Sequence, residues 1–593
     1  MVVRKRRSAR RAMTLVVVAA VGLGMAASPA GATPPRHVPD GSATGVGALP
    51  VDSSIGAMPV QVFPAAPRST SGCTFPAVTT PGGQLIRHVA PCGSATGTGA
   101  PTSPWRSVAQ AMASLQPGDV AYLHDDPALA IDYQESGLRP ARSGTGESAR
   151  IRLMAAPGER PWLGRSPSAS SETPLVHLDR SWWVLEGLNL DAAGLTLRTS
   201  VLRIGTARAT SVHHDVVRGL SARNTGGTKA VVEFDGAENS ALLDSAGPAA
   251  GGGRIGLIEP LGTDDRPMGV PAAGSRDFTD HHAVTAKNGA DRILVRNVES
   301  AGHNGDSFQC GEESGTTRPV TSNVTLVGNR FHHEEENAVD LKACHGVTLR
   351  DTKMYGFRPA RPSEKDGTLS TRAPQGDAVV MHAAESGRSA DRVLVELNRF
   401  WDNSRAVNVS NRVARVVVRR NLVFAASTAA CGIGAGMDVR AADAEVYGNT
   451  LEGLLSPTAA PAACGTRFSW SGSQRAAIRL AGATSSRAVL WNNIVSNASV
   501  PYASTSGLVV DARRNLFDAA FPGMPPDSRT GNPRFVTDPA NNDYFTERGS
   551  PARDEAAGLP SAVRDPRQYC DDPSATEPDT LVEPDIGFLE SCS

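Results

Sequence analysis

The chain has 593 residues, with 59 Lys plus Arg against 60 Asp plus Glu and a formal net charge of −1. That balance gives no electrostatic preference for nucleic acid or for a membrane surface. Gly at 59, Pro at 42 and aromatics at 5% favour many turns and short strands and exclude a mainly helical chain.

The N-terminus reads as a targeting segment. Arg4, Lys5, Arg6, Arg7, Arg10 and Arg11 form a basic head, Met13 to Ala27 is apolar, and Ala30-Gly31-Ala32 is a small-residue cleavage signal before Thr33. The apolar run is short for a membrane span. The expectation is a signal peptide over 1–32, export, and no membrane association after cleavage. Residues 33–70 are rich in Pro, Ala, Gly and Ser and read as a flexible linker. Next comes a Gly-rich turn over 93–99, then Pro104-Trp105, then a stretch from Ser107 to Leu115 that suits a short amphipathic helix. Pro117-Gly118-Asp119 turns the chain into Val120–Leu123.

From about Ile151 a phrase repeats. Val324-Thr325-Leu326-Val327 is closed by Asn329-Arg330-Phe331. Related runs end at Asp351, at Asn398-Arg399-Phe400 and at Asn421-Leu422. The step from 329 to 351 is 22 residues and that from 398 to 421 is 23. A short β-rich run at such a period cannot bury both faces alone. Stacking of successive copies buries them and predicts a solenoid, whose core grows along one axis despite the chain length. The solenoid domain is expected over 71–590. Residues 245–285 and 358–375 exceed a coil and read as loops projecting from it. A closing cap is expected over 530–593.

The order of Gly-rich turn, Pro-aromatic, short helix, Pro-Gly-Asp and strand resembles the start of secreted right-handed parallel β-helix proteins of the pectate-lyase-like group, which includes many polysaccharide lyases. Gly531-Asn532-Pro533-Arg534-Phe535, Gly549-Ser550-Pro551 and Pro584-Asp585-Ile586-Gly587-Phe588 are similar to the closing segment of the same group. The resemblance implies an all-β, right-handed parallel β-helix with a short N-terminal capping helix. It leaves the chemistry open, because the fold hosts lyases, hydrolases, epimerases and binding proteins.

A second strand follows the Asn turn in each coil. Aligned by apolar pattern, Asp306-Ser307-Phe308-Gln309-Cys310-Gly311 matches Asn337-Ala338-Val339-Asp340-Leu341-Lys342. Asp377 to His382, Arg405 to Ser410 and Gly436 to Arg440 follow. Alternation predicts one outward column of Gln309, Asp340, Val380, Asn408 and Asp438, and another of Gly311, Lys342, His382, Ser410 and Arg440. Lys342 and His382 are then neighbours one strand spacing apart, about 4.8 Å.

A lysine, a histidine and carboxylates on one face suit β-elimination on a uronate sugar. The proton next to the carboxylate must leave, and a cation must neutralise that carboxylate. Lys342, His382 and Arg440 are the expected catalytic cations, and Gln309, Asn408 and Arg372 the substrate contacts. Asp306, Glu335, Glu336 and Asp340 are the expected hard-oxygen ligands of a Ca²⁺ ion. The expected partner is an acidic polysaccharide, acted on by a monomer. Hydrolysis by two carboxylates, Asp340 with Asp306 or Glu336, is the alternative. Non-catalytic glycan binding is a third reading. Eight cysteines suit an oxidising compartment. They fall as near neighbours, Cys73 with Cys92, Cys310 with Cys344, Cys431 with Cys464 and Cys570 with Cys592. This is one choice among roughly 105 connectivities.

Overall fold

The computed structural model describes residues 46–52, 55, 64 and 72–552, apart from 197, 208–211, 226–227, 246–280, 304, 312–318, 333, 335, 358–375, 385, 425–434, 455–474, 484–485, 539–542 and 547–549. The predicted signal peptide, both predicted loops except 245 and 281–285, the cap beyond 552, Arg372, Glu335, Cys431, Cys464, Cys570 and Cys592 lie outside the described residues.

The chain is a right-handed parallel β-helix. Each coil contributes strands to three faces. Sheet I runs from Arg87–Ser94 to Val509–Arg513. Sheet II holds the short strands after the turn, among them Arg330–His332, Lys353–Tyr355, Arg399–Trp401 and Leu422–Phe424. Sheet III has eleven strands, from Val176–Leu178 to Tyr502–Ser504. Every pairing within these faces is parallel and joins one coil to the next, as in Val324↔Val347, Val347↔Val393 and Val393↔Val416. Parallel crossovers of L-residues take the right hand. Inward positions are apolar and sealed: Val324, Leu326, Phe331, Val339 and Leu341 are all fully buried. The helix forms over Val108–Ser114, with Ser107 as its N-cap accepting from Gln110 N at 3.1 Å, and it buries Val108, Ala111 and Met112 in the main core.

The repeated turn has two fixed positions. The first is left-handed: Asn297 (φ 53°), Gly328 (66°), Asp351 (48°), Leu397 (57°), Arg420 (49°), Gly448 (62°) and Asn492 (53°) stand there in successive coils. The second carries a buried asparagine ladder. Asn398 N donates to Asn421 Oδ1 at 3.0 Å, Asn421 N to Asn449 Oδ1 at 3.0 Å, Asn449 N to Asn493 Oδ1 at 3.1 Å, and Asn493 N to Asn515 Oδ1 at 3.1 Å. This corrects the repeat by one residue. Arg330 pairs with Lys353, so the coil-mate of Asn329 is Thr352, not Asp351. Thr352 accepts from Asn329 N through Oγ1 at 3.4 Å and donates its own N to Asn398 Oδ1 at 3.0 Å.

Residues 46–52 fall in the stretch expected to be a flexible linker, and that expectation does not describe them. Gly47 N donates to Arg392 O at 2.9 Å, Ala48 N to Thr348 Oγ1 at 2.9 Å, Leu49 N to Asn323 Oδ1 at 3.1 Å and Asp52 N to Asn239 Oδ1 at 3.3 Å. Ile55 is fully buried among Val184, Val216, Leu243 and Leu294. The outer face of sheet I is apolar there, and covering it removes that area from water.

Cys73–Cys92 and Cys310–Cys344 are disulfides, and no free cysteine occurs among the described residues. The second closes a 34-residue separation around the strand Val339–Leu341. Replacing both Cys310 and Cys344 by Ser is expected to lower stability by about 3–4 kcal/mol, read as the shift in a denaturant midpoint against the oxidised protein. Among the described residues no helix is long and apolar enough to cross a membrane.

Candidate functional site

The outer face of sheet III carries the predicted columns in register. Gln309 pairs with Asp340, Asp340 with Val380, Val380 with Asn408, and Asn408 with Asp438. Lys342 and His382 directly follow the paired residues Leu341 and Met381, and His382 N donates to Leu341 O at 2.9 Å. The two cations are brought together on one carboxylate. Lys342 Nζ lies 3.1 Å from Asp340 Oδ2, and His382 Nε2 lies 3.0 Å from Asp340 Oδ1. Asp340 points away from the core yet is only 4% exposed, because these two side chains cover it. The cations stay reachable: the Lys342 side chain is 29% and that of His382 38% exposed.

The electrostatics follow from that contact. Burial would push the Asp340 carboxyl up, but His382 and Lys342 outweigh it and hold it below the usual carboxylate range. The hydrogen bond to Asp340 raises the His382 pKa above its ordinary value against the opposing effect of burial. His382 Nδ1 lies 3.0 Å from Ala383 O.

The other predicted residues separate into groups. Asp306 is fully buried. It accepts from Asn337 N at 3.1 Å, Asn337 Nδ2 at 3.0 Å and Gln309 Nε2 at 3.3 Å, and His282 Nδ1 lies at 3.3 Å. Burial first, and then the charge of Asp340, push its pKa up. Gln309 thus braces a buried carboxyl, and Asn408 does the same for Asp377, donating from Nδ2 to Oδ2 at 2.7 Å. Asp377 is pushed up to about 6 by burial. Arg440 lies two coil steps from His382, through Met381↔Val409 and Val409↔Val439. That is about 10 Å along the solenoid, which places it beyond the Lys342–His382 pair. Glu336 is half-buried in the turn. Neighbouring Glu334, read from sequence with its turn, is buried: Ser300 Oγ and Ser307 Oγ donate to Oε1 at 2.6 and 2.7 Å, and His303 Nδ1 lies 3.1 Å from Oε2.

Of the expected calcium ligands, Asp306, Glu336 and Asp340 form no metal-holding group among the described residues, and Glu335 lies outside them. No three His, Cys, Asp or Glu side chains converge closely enough to hold a metal. Both oxygens of Asp340 already face cations, and Asp306 is sealed beneath Gln309 and Asn337.

Two members of the face were missed. Arg405 shares the column of Asp306, Asn337 and Asp377, and Arg479 pairs with Asp438. Arg405 already opens the aligned copy Arg405 to Ser410, and extending the alignment by one coil reaches Arg479, since Ile478-Arg479-Leu480 has the inward-outward-inward pattern. Trp401 ends the strand Arg399–Trp401 on sheet II, but it offers no open face to a sugar. It lies instead in a stack, with Tyr355 at 4.3 Å and Phe424 at 5.6 Å, which occupies its faces.

Fold and face together define a parallel β-helix protein with one cation-rimmed sheet. No protein-family model matches the chain, and no curated protein matches it. Solved structures similar to it include a pectate lyase, at 13% identity over 85% of this chain and 96% of that one, TM-score 0.38. A rhamnogalacturonan lyase aligns at 13% identity over 76% and 90%, TM-score 0.34. A tailspike protein of an E. coli bacteriophage, solved with a pentasaccharide, aligns at 14% identity over 69% and 66%, TM-score 0.40. These values assign no chemistry, and the functional reading rests on this chain's own residues.

Proposed function

We propose that the chain is an exported enzyme that cleaves an acidic, uronate-containing polysaccharide by β-elimination at Lys342 and His382. The observation that carries this reading is the shared carboxylate: Asp340 holds one cation on each oxygen, and both cations reach solvent. His382 holds Nε2–H toward Asp340, and its neutral Nδ1 takes the proton by turning from Ala383 O, 3.0 Å away, to the sugar C–H; Asp340 stabilises the imidazolium that forms. Lys342 neutralises the sugar carboxylate and the charge that develops beside it. The C–H bond next to the carboxylate and the C–O bond to the leaving sugar break, and a C=C bond forms. The leaving oxygen takes its proton from the imidazolium or from water. Lys342 thus does for the carboxylate what a calcium ion was expected to do.

The test is a panel of uronate polymers, with the ultraviolet absorbance of the unsaturated end as readout, with and without chelator. Activity is expected to survive chelation and to fall roughly 100-fold or more in Lys342→Ala. Turnover that is indifferent to Lys342→Ala would sink the assignment, and glycan retention without product would make the chain a binding protein. One observation favours a second reading. Asp306 and Asp340 are pushed in opposite directions, the pattern of an acid and a base in a hydrolase. Asp306 is fully buried, however, so elimination ranks first. Product without a double bond would reverse the order.

A further inference from the structure

Beyond the Lys342–His382 pair, the same face holds a closed ring of side chains. Asn408 Nδ2 donates to Asp377 Oδ2 at 2.7 Å, and Arg405 Nε lies 3.6 Å from Asp377 Oδ1. Arg405 Nη1 reaches Asp438 Oδ2 at 3.3 Å. Arg440 Nε lies 3.4 Å from Asp438 Oδ1, and Arg440 Nη2 donates to Asn408 Oδ1 at 3.2 Å, which closes the ring. From the next coil Arg479 Nη1 donates to both oxygens of Asp438, at 3.0 and 2.9 Å.

Three guanidiniums therefore meet two carboxylates among the described residues. Asp377, Arg405 and Asp438 are 1%, 5% and 2% exposed. Asp438 thus fixes Arg405, Arg440 and Arg479 by charge-assisted contacts. Arg440 is the member that opens to solvent, with its side chain 37% exposed against 17% for Arg479. Its buried Nε makes no hydrogen bond.

We propose that Arg440, backed by this ring, is a second anion subsite that takes the carboxylate of a different sugar from the one held at Lys342. The two positions are three coil steps apart, about 14 Å along the solenoid. A polymer lying along the solenoid axis meets both. The inference rests on the elimination reading for the identity of the ligand. It assigns Arg440 to length-dependent affinity, where the sequence suggested catalysis.

The experiment is calorimetric titration of the full mature chain carrying His382→Ala, which removes the proton acceptor and keeps Lys342. Oligouronates from monomer to hexamer are the probe, with and without Arg440→Ala or Arg440→Lys. Arg440→Ala is expected to weaken the longer oligomers by roughly 10-fold or more, the size of a charge-assisted contact, and to leave the monomer unchanged. Arg440→Lys is expected to restore part of the loss. Equal affinities with and without Arg440→Ala, or the same loss for monomer and hexamer, overturn the subsite while leaving the elimination reading standing. No binding of any oligomer overturns both.

Discussion

Asp340→Asn is expected to lower elimination on the preferred polymer by roughly 10²–10⁴-fold and to move the acid limb of its pH profile to lower pH. Both effects come from one contact. The Asp340 carboxylate lies 3.0 Å from His382 Nε2 and raises the histidine pKa above its ordinary value. A mechanism that needs neutral His382 therefore gains rate as pH rises through a value above 6.5, the unperturbed one. Asn keeps the shape and removes the charge, so His382 becomes neutral at lower pH and the limb follows. The rate still falls, because the imidazolium formed on proton abstraction loses its counter-charge and Lys342 loses the partner that positions it at 3.1 Å. The measurement is kcat/KM against pH for both proteins, with thermal unfolding as the check on folding. A limb that stays in place in Asp340→Asn would remove His382 from the role of base and leave Lys342 as the group to titrate.

The fold was legible because the repeat reports on inward positions, and inward positions are dictated by packing. Val324, Phe331, Val339 and their coil-mates had to be apolar, so a 22–23-residue spacing could be seen from one sequence. The register of sheet III followed for the same reason, and with it the adjacency of Lys342 and His382. What packing does not dictate was harder to read. Asp351 was mistaken for a ladder residue because Asp tolerates the left-handed conformation that its position needs, and only strand pairing separates that position from the next. The burial of Glu334 is not legible locally, since nothing in the turn reveals that Ser300, Ser307 and His303 fold onto it. The contacts of residues 46–52 join positions up to 345 apart in sequence, Gly47 with Arg392. No periodicity within a Pro- and Gly-rich stretch could show them. Arg405 stands in the alignment and Arg479 one coil beyond it, but their effect depends on sharing Asp438, a contact between coils.

Asn421→Leu is expected to destabilise the solenoid by about 3–5 kcal/mol, the sum of several orphaned buried groups at roughly 1–3 kcal/mol each. Asn421 is fully buried in the middle of the ladder. Its Oδ1 accepts from both Asn398 N and Asn398 Nδ2 at 3.0 Å. Its Nδ2 donates to Val395 O at 2.9 Å and Asn449 Oδ1 at 3.0 Å. Leucine matches the volume and supplies none of these, so Asn398 N and Val395 O lose the partners that Asn421 provides inside a sealed turn. Burying leucine on folding offsets part of that sum but restores none of the lost bonds. The neighbouring turn position gives the internal contrast. Asp351 is exposed and left-handed, so Asp351→Gly substitutes a residue that prefers that backbone and removes no ladder bond. Its effect is expected to stay within about 1 kcal/mol of the parent. Denaturant midpoints of the two variants decide the matter, with amide exchange at Asn398 as the local readout. If Asn421→Leu and Asp351→Gly unfold alike, the ladder is incidental and the coils are held by their apolar interior alone. If they separate as expected, the asparagine in the repeated phrase is kept for its hydrogen bonds between coils.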